Sequence, residues 1–141
     1  MIFPIIFGYL PLVNLAVIVA QSRLGVPVKI VLSLPLPPSA NRLWRTGRGK
    51  IYRSDIYNSW LGEVVWIIVR QSQSKRVTGS YKLTILATPP DKRKRDLDNL
   101  LKAASDALVK SGIIDGDHLC RWIEAKWVDG DPGCQLIVEE I

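Results

Sequence analysis

At 141 residues the chain is long enough to bury one core and too short for two domains of ordinary size. Hydrophobic residues at 48% and charged residues at 23% exclude a disordered or collagen-like chain. A balance of 19 Lys and Arg against 13 Asp and Glu gives a formal charge of +6, which favours a polyanionic partner, nucleic acid before a membrane surface.

Residues 1–22 carry no charged side chain, and Arg23 is the first. Ile2 to Ala20 approaches the roughly 20 residues of a membrane span, although Pro4, Gly8, Pro11 and Asn14 weaken that reading. No Lys or Arg precedes the apolar run, which speaks against a secretory signal. A membrane anchor, a packed extra element and translated sequence upstream of the true start stay open at this point.

From Val28 the pattern becomes regular. Val28 to Leu34 is β-branched and apolar and reads as a strand. Pro35, Pro37 and Pro38 bar regular structure, and Ser39 to Tyr52 reads as a basic loop carrying Arg42, Arg45, Arg48 and Lys50, with Arg53 just after it. Ser54 suits the N-cap of a helix running to about Gln73, with Ile56, Trp60, Val64, Ile67 and Ile68 as its apolar stripe. Ser80 to Thr88 alternates as a strand, with Tyr81, Leu83, Ile85 and Ala87 on one side, and Pro89 and Pro90 close it.

The charged run Asp91-Lys92-Arg93-Lys94-Arg95 leads into Asp96, where a second helix begins and runs to about Ser111. Leu97, Leu100, Leu101, Ala104, Ala107 and Leu108 form its buried stripe, and Gly112 ends it. After Asp115-Gly116-Asp117, residues 119–128 and 134–140 read as strands, with 129–133 as the turn between them. Cys120 and Cys134 lack metal-ligand spacing and His118 is the lone histidine, so zinc is not expected and both cysteines should be reduced thiols, as in a cytoplasmic protein. The order β-α-β-α-β-β predicts an α+β fold: a two-layer sandwich with a mixed sheet of four strands and two helices on one face.

Arg95-Asp96-Leu97-Asp98-Asn99-Leu100-Leu101-Lys102 is the segment richest in chemistry. Mg²⁺ takes one or two carboxylates together with water and substrate phosphate. In a continuous helix Asp96 and Asp98 would point to nearly opposite sides, whereas a DxD straddling the helix start can present both to one ion. Lys102 lies four residues beyond Asp98 and Asp106 continues that face, so a lysine stands ready to hold a phosphate. Each piece alone has an ordinary explanation. Asp stabilises helix starts, basic runs are commonly solvated faces, Lys102 and Asp106 form an i,i+4 pair, and Asp115 and Asp117 suit a turn. Their joint order is what carries information.

From about Lys29 onward the chain resembles the RusA family of Holliday junction resolvases. The resemblance rests on Leu34-Pro35-Leu36-Pro37-Pro38-Ser39-Ala40-Asn41-Arg42, on Arg95-Asp96-Leu97-Asp98-Asn99-Leu100-Leu101-Lys102 followed by Ala103, Asp106, Ala107 and Leu108, and on Lys110-Ser111-Gly112-Ile113-Ile114 ahead of the acidic loop. It implies a crossover junction endodeoxyribonuclease with Asp96, Asp98 and Asp117 as catalytic, metal-binding carboxylates and Lys102 as a catalytic lysine. Gly116 departs from the family's adjacent acidic pair, so Asp115 competes with Asp117 for the third place. The implied cofactor is Mg²⁺, with Mn²⁺ as a substitute, and no small-molecule cofactor is expected. The implied partners are a four-way DNA junction and a second copy of the chain, because two matching cuts call for two equivalent sites. Asn41, Arg42, Arg45, Arg48, Lys50, Arg53, Lys92, Arg93, Lys94 and Arg95 are the expected DNA contacts.

Trp44 either stacks on a base or packs. Trp60 and Trp66 read as core or dimer packing, and Trp122 and Trp127 as strand residues on opposite faces. Because the resemblance begins at the first strand, residues 1–27 read as an apolar extension outside a domain spanning 28–141, with translation starting near Val26 or Val28. An intact mass that includes Met1 contradicts that start. Two other functions fit the same chain: a module that grips branched DNA without cutting, and a basic protein tethered to a membrane through residues 2–20.

Overall fold

A computed structural model describes residues 25–141, and the expectations for residues 1–22 lie outside the described residues. Strand β1 (Lys29–Leu34) alternates strictly, with Ile30, Leu32 and Leu34 buried and the residues between them exposed. Strands β4 (Tyr81–Thr88), β5 (Cys120–Trp127) and β6 (Gly133–Glu140) complete a four-stranded mixed sheet in the order β1-β6-β4-β5. β6 is antiparallel to both neighbours, whereas β4 and β5 are parallel. Rows such as Leu32, Leu136 and Ile85 run across the sheet on one face, where every member is buried.

Helices α1 (Asp55–Gln71) and α2 (Leu101–Ser111) cover that face, so the expected two-layer α+β architecture forms. Ser54 caps α1, its hydroxyl accepting from the Tyr57 amide at 3.1 Å, an interaction worth about 1 kcal/mol. The buried stripe of α1 is Tyr57, Trp60, Leu61, Val64 and Ile68. It is rotated from the expected one: Ile56 is exposed and Ile67 only half-buried. Tyr57 takes the inner position because its hydroxyl finds a partner there, the Asp106 carboxylate. In α2, Ala103, Ala104 and Ala107 let the backbone lie close to α1, with Leu108 as the larger anchor. Gly112 ends the helix at φ 80°, in the left-handed region.

The expected basic loop takes a different form. The basic loop is ordered as a hairpin, β2 (Trp44–Gly47) paired antiparallel with β3 (Lys50–Arg53). Its two-residue connection, Arg48-Gly49, has positive φ at both positions, the geometry that twists a tight hairpin correctly. The arginines hid the strand signal, since on this ribbon they occupy positions that a buried strand gives to apolar residues. Residues 128–132 form the expected turn between β5 and β6. They do not join neighbouring strands, because β4 lies between β5 and β6. The β4-α2-β5 connection makes β4 and β5 parallel neighbours, which leaves β6 only the other side of β4.

Sheet edges are managed locally. On β1 the Gln71 side chain accepts from the Ser33 amide at 2.7 Å and donates to the Ser33 carbonyl at 3.0 Å, imitating another strand. β5 carries Trp122 and Trp127 on opposite faces as expected, Trp122 beside Lys82 and Trp127 beside Ala87. Lys82 lies 4.5 Å from the centre of the Trp122 ring and pairs with Glu124 at 3.0 Å. Trp60 is core, donating its indole N–H to the Pro35 carbonyl at 3.2 Å, whereas Trp66 is exposed beneath Arg70.

Candidate functional site

The signature segment straddles a helix start. Asp96 is extended at φ −91° and ψ 127°, and Leu97–Leu100 forms a 3₁₀ turn before α2 begins at Leu101. The expected continuous helix from Asp96 is therefore preceded by a tighter turn of three residues per revolution. Both Asp96 and Asp98 are exposed. Asn99 ties the turn together, its backbone amide donating to the Asp96 carbonyl at 3.3 Å and its side-chain amide to Asp96 Oδ2 at 3.4 Å. The 97–100 turn packs against β5, and α2 packs against the short turn Asp117–Leu119 that leads into β5. The first acidic turn leads into α2, and the second packs on that helix and leads into β5.

Six aspartates lie between residues 91 and 117, and they divide into two sets. Asp91 accepts both terminal nitrogens of Arg95, at 2.6 and 3.1 Å, and that guanidinium with the Arg93 amide holds its carboxyl at about 2, well below the usual range. Asp106 binds Lys102 at 2.7 Å, and Asp115 is paired with Arg76. Asp96, Asp98 and Asp117 make no ion pair among the described residues. Asp115, the competitor for the third place, is the one occupied by an arginine. Gly116 has its own local reason, since a Cβ there would lie 2.5 Å from the His118 ring.

Among the described residues no three Asp, Glu, His or Cys side chains gather into a cage that could hold an ion alone. Asp96, Asp98 and Asp117 are therefore not gathered as one three-carboxylate group, whereas Mg²⁺ takes as few as one or two carboxylates and fills its remaining positions with water and phosphate. Exposed carboxylates without a competing cation, next to a basic run, are donors of the kind it uses.

Lys102 was expected beside Asp98. It bonds instead toward the other end of α2, to Asp106, because Asp98 sits in the 3₁₀ turn. Asp106 also accepts the hydroxyl of Tyr57, whose ring meets Trp44 edge-on with centroids 6.4 Å apart and lies 5.7 Å from the Arg53 guanidinium. Burial and the neighbouring carboxylate raise the Tyr57 pKa, so the hydroxyl stays a donor. In the sequence, the signal for Tyr57 is its i+3 spacing from Ser54, and alternation places Tyr81 on one side of its strand without marking its hydroxyl. The Tyr81 hydroxyl is buried with no hydrogen-bond partner among the described residues, and burial together with Cys120 and Asp117 raises its pKa.

A cleft of about 440 Å³ runs between the proline-rich segment and the signature turn, lined by Asn41, Arg42, Ile56, Arg95, Asp96 and Asn99 among others. It brings Asn41 and Arg42, after the proline-rich segment, against Arg93, Lys94, Arg95 and Asp96. Arg45, Arg48, Lys50 and Arg53 stand on the exposed hairpin, and Lys92, Arg93 and Lys94 on an exposed loop. Arg95 is the least available of the set, because its guanidinium already serves Asp91.

A family model described as Endodeoxyribonuclease RusA matches residues 35–139. The chain is 32% identical over 93 residues to the crossover junction endodeoxyribonuclease RusA of Aquifex aeolicus, covering 65% of this chain and 73% of that protein. It is 41% identical over 82 residues to the protein of the same name from Escherichia coli strain K12, covering 58% and 68%. A third relative of that name, from Enterobacteria phage HK97, is 34% identical over 85 residues, covering 60% and 71%. The match spans the proline-rich segment, the hairpin, both helices and the free aspartates, so the chain belongs to the RusA family of endodeoxyribonucleases, enzymes that hydrolyse phosphodiester bonds.

Proposed function

We propose that this chain resolves four-way DNA junctions by paired, Mg²⁺-dependent phosphodiester hydrolysis, acting as a homodimer in DNA recombination and repair. The observation that carries the reading is the division of the six aspartates between residues 91 and 117: the three without a cation partner among the described residues are the three assigned to the metal. Asp96 and Asp98 would hold the ion from the signature turn, and Asp117, which is not gathered with them in the isolated chain, would join them when metal and DNA bind. Bound there, Mg²⁺ supplies Lewis-acid charge to the scissile phosphate and makes water a better nucleophile.

The chain's own residues do the rest. Lys102 offers its ammonium donors to the phosphate oxygens, where negative charge grows as the bond breaks. The hairpin cations and Lys92 to Lys94 track phosphates on either side of the cleft, a grip that fixes register without reading sequence. Trp44 has half its surface exposed while its edge rests on Tyr57, so it can meet a base without leaving its packing. Two equivalent sites in a two-fold dimer would make two matching cuts, leaving nicks with 5′-phosphates that a ligase can seal.

The test is a labelled four-way junction against a linear duplex of the same sequence, each with and without Mg²⁺. Paired cuts in the junction alone, dependent on Mg²⁺, support the reading. Retention of the junction without cutting in any divalent metal contradicts it and favours a binding module.

A further inference from the structure

We propose that Asp106, held by Tyr57, is a positioning residue for Lys102 and sets how fast a bound junction is cut. The inference rests on the nuclease reading above, and it concerns two residues to which that reading gave no role.

A lysine has a long flexible stem, and an exposed one spreads its charge over many rotamers. Half of the Lys102 side chain is open to solvent, yet its ammonium is fixed 2.7 Å from Asp106 Oδ1. An ordinary surface pair of this kind contributes little, because both partners move. This pair differs in that its acid does not move freely. Asp106 is only 20% exposed, and its other oxygen accepts the hydroxyl of Tyr57, which is fully buried in the core. Tyr57 is itself immobilised one turn inside α1, with Trp44 against its ring edge. The carboxylate is thus anchored to the core by one oxygen and grips Lys102 with the other.

The consequence for cutting follows from donor counting. The ammonium has three donors and one goes to Asp106, so two remain with restricted directions for a phosphate at the neighbouring turn. Ordering the lysine before DNA arrives removes part of the entropy cost from the chemical step. The effect belongs in the cleavage rate of the bound junction rather than in its affinity. The chain from Trp44 and Arg53 through Tyr57 and Asp106 also joins the DNA-gripping hairpin to the lysine through direct contacts.

The experiment measures single-turnover cleavage of a four-way junction in Mg²⁺ at saturating enzyme, together with junction affinity, for the parent, Asp106→Asn, Tyr57→Phe, Lys102→Ala and the Lys102→Ala/Asp106→Asn double variant. Asp106→Asn should cut roughly tenfold more slowly, and Tyr57→Phe a few-fold more slowly, with affinities within about twofold of the parent. In the Lys102→Ala background Asp106→Asn should have no further effect, a coupling that a merely structural residue would not show. Acylation of Lys102 followed by mass spectrometry should be several-fold faster in Asp106→Asn, and it reads the positioning even if a variant cuts too slowly to time. Equal cutting by parent and Asp106→Asn overturns the proposal alone, as does an undiminished effect in the double variant or unchanged Lys102 acylation. A parent that cuts no junction overturns it together with the nuclease reading.

Discussion

The signature turn and the basic hairpin carry opposite charge, and they are built in opposite ways. Asp96 to Lys102 is seated on a buried helix, with Leu100, Ala103 and Ala104 beneath it and Asn99 bracing the turn. The hairpin exposes both faces from Trp44 to Arg53, and its attachment is at the base, where the Ser54 amide donates to the Leu43 carbonyl and the Ser54 hydroxyl to that of Arg42. A metal centre needs carboxylates held to a fraction of an ångström, which calls for a packed platform. Tracking phosphates on a branched substrate needs charge and reach but tolerates movement. Cutting and gripping should therefore be separable by mutation.

The largest effect should come from the platform. Asp96→Asn or Asp98→Asn should lower junction cleavage by at least about a hundredfold while affinity changes by less than about threefold, measured by cleavage kinetics and gel shift. A variant that loses affinity and cleavage in equal measure would break the separation. Leu136→Ala, at the centre of the sheet beneath both helices, should cost about 2–5 kcal/mol in denaturant unfolding. It should reduce cutting only through the fraction unfolded.

The hairpin should respond differently. Replacing Arg45, Arg48 and Lys50 together by Ala should weaken binding uniformly across junction sequences and lower the slope of log affinity against log salt by about 3. The cleavage rate of saturated complex should stay near that of the parent. A slope that does not change would remove the hairpin from the DNA interface. The smallest effect concerns pH. The folded pKa of Asp91 lies below its unfolded value, so the contribution of its bond to Arg95 is present above about 4 and is lost as the pH falls toward about 2. Carboxyl NMR titration should find Asp91 protonating near pH 2, below the usual aspartate range.

Periodicity revealed much of this fold. Strict alternation located β1 and the inner face of β4, and the proline pairs marked their ends. Spacing failed where a polar tip made an aromatic burial-competent, as at Tyr57, and where charge masked a ribbon, as in the hairpin. Strand order was hidden for another reason. Gly130 and Gly133 announce a turn between β5 and β6, but only the third dimension tells whether a turn joins neighbours or steps across a strand. At the site, the motif order singled out Asp96, Asp98 and Lys102. The occupation of Asp115 by Arg76, from a segment 39 residues away, leaves no trace in local spacing.

Asp96, Asp98 and Asp117, which make no ion pair among the described residues, are assigned to the cutting, whereas Asp91 and Asp115, each held by an arginine, are assigned to the scaffold. The most direct test is the rate of four-way junction cleavage in Mg²⁺ by the Asn variants of Asp91, Asp96, Asp98, Asp115 and Asp117, compared in one assay. Asp91→Asn and Asp115→Asn should cut at near-parental rates, and the other three should lose at least about a hundredfold. Parental cutting by Asp117→Asn with loss in Asp115→Asn would contradict that assignment.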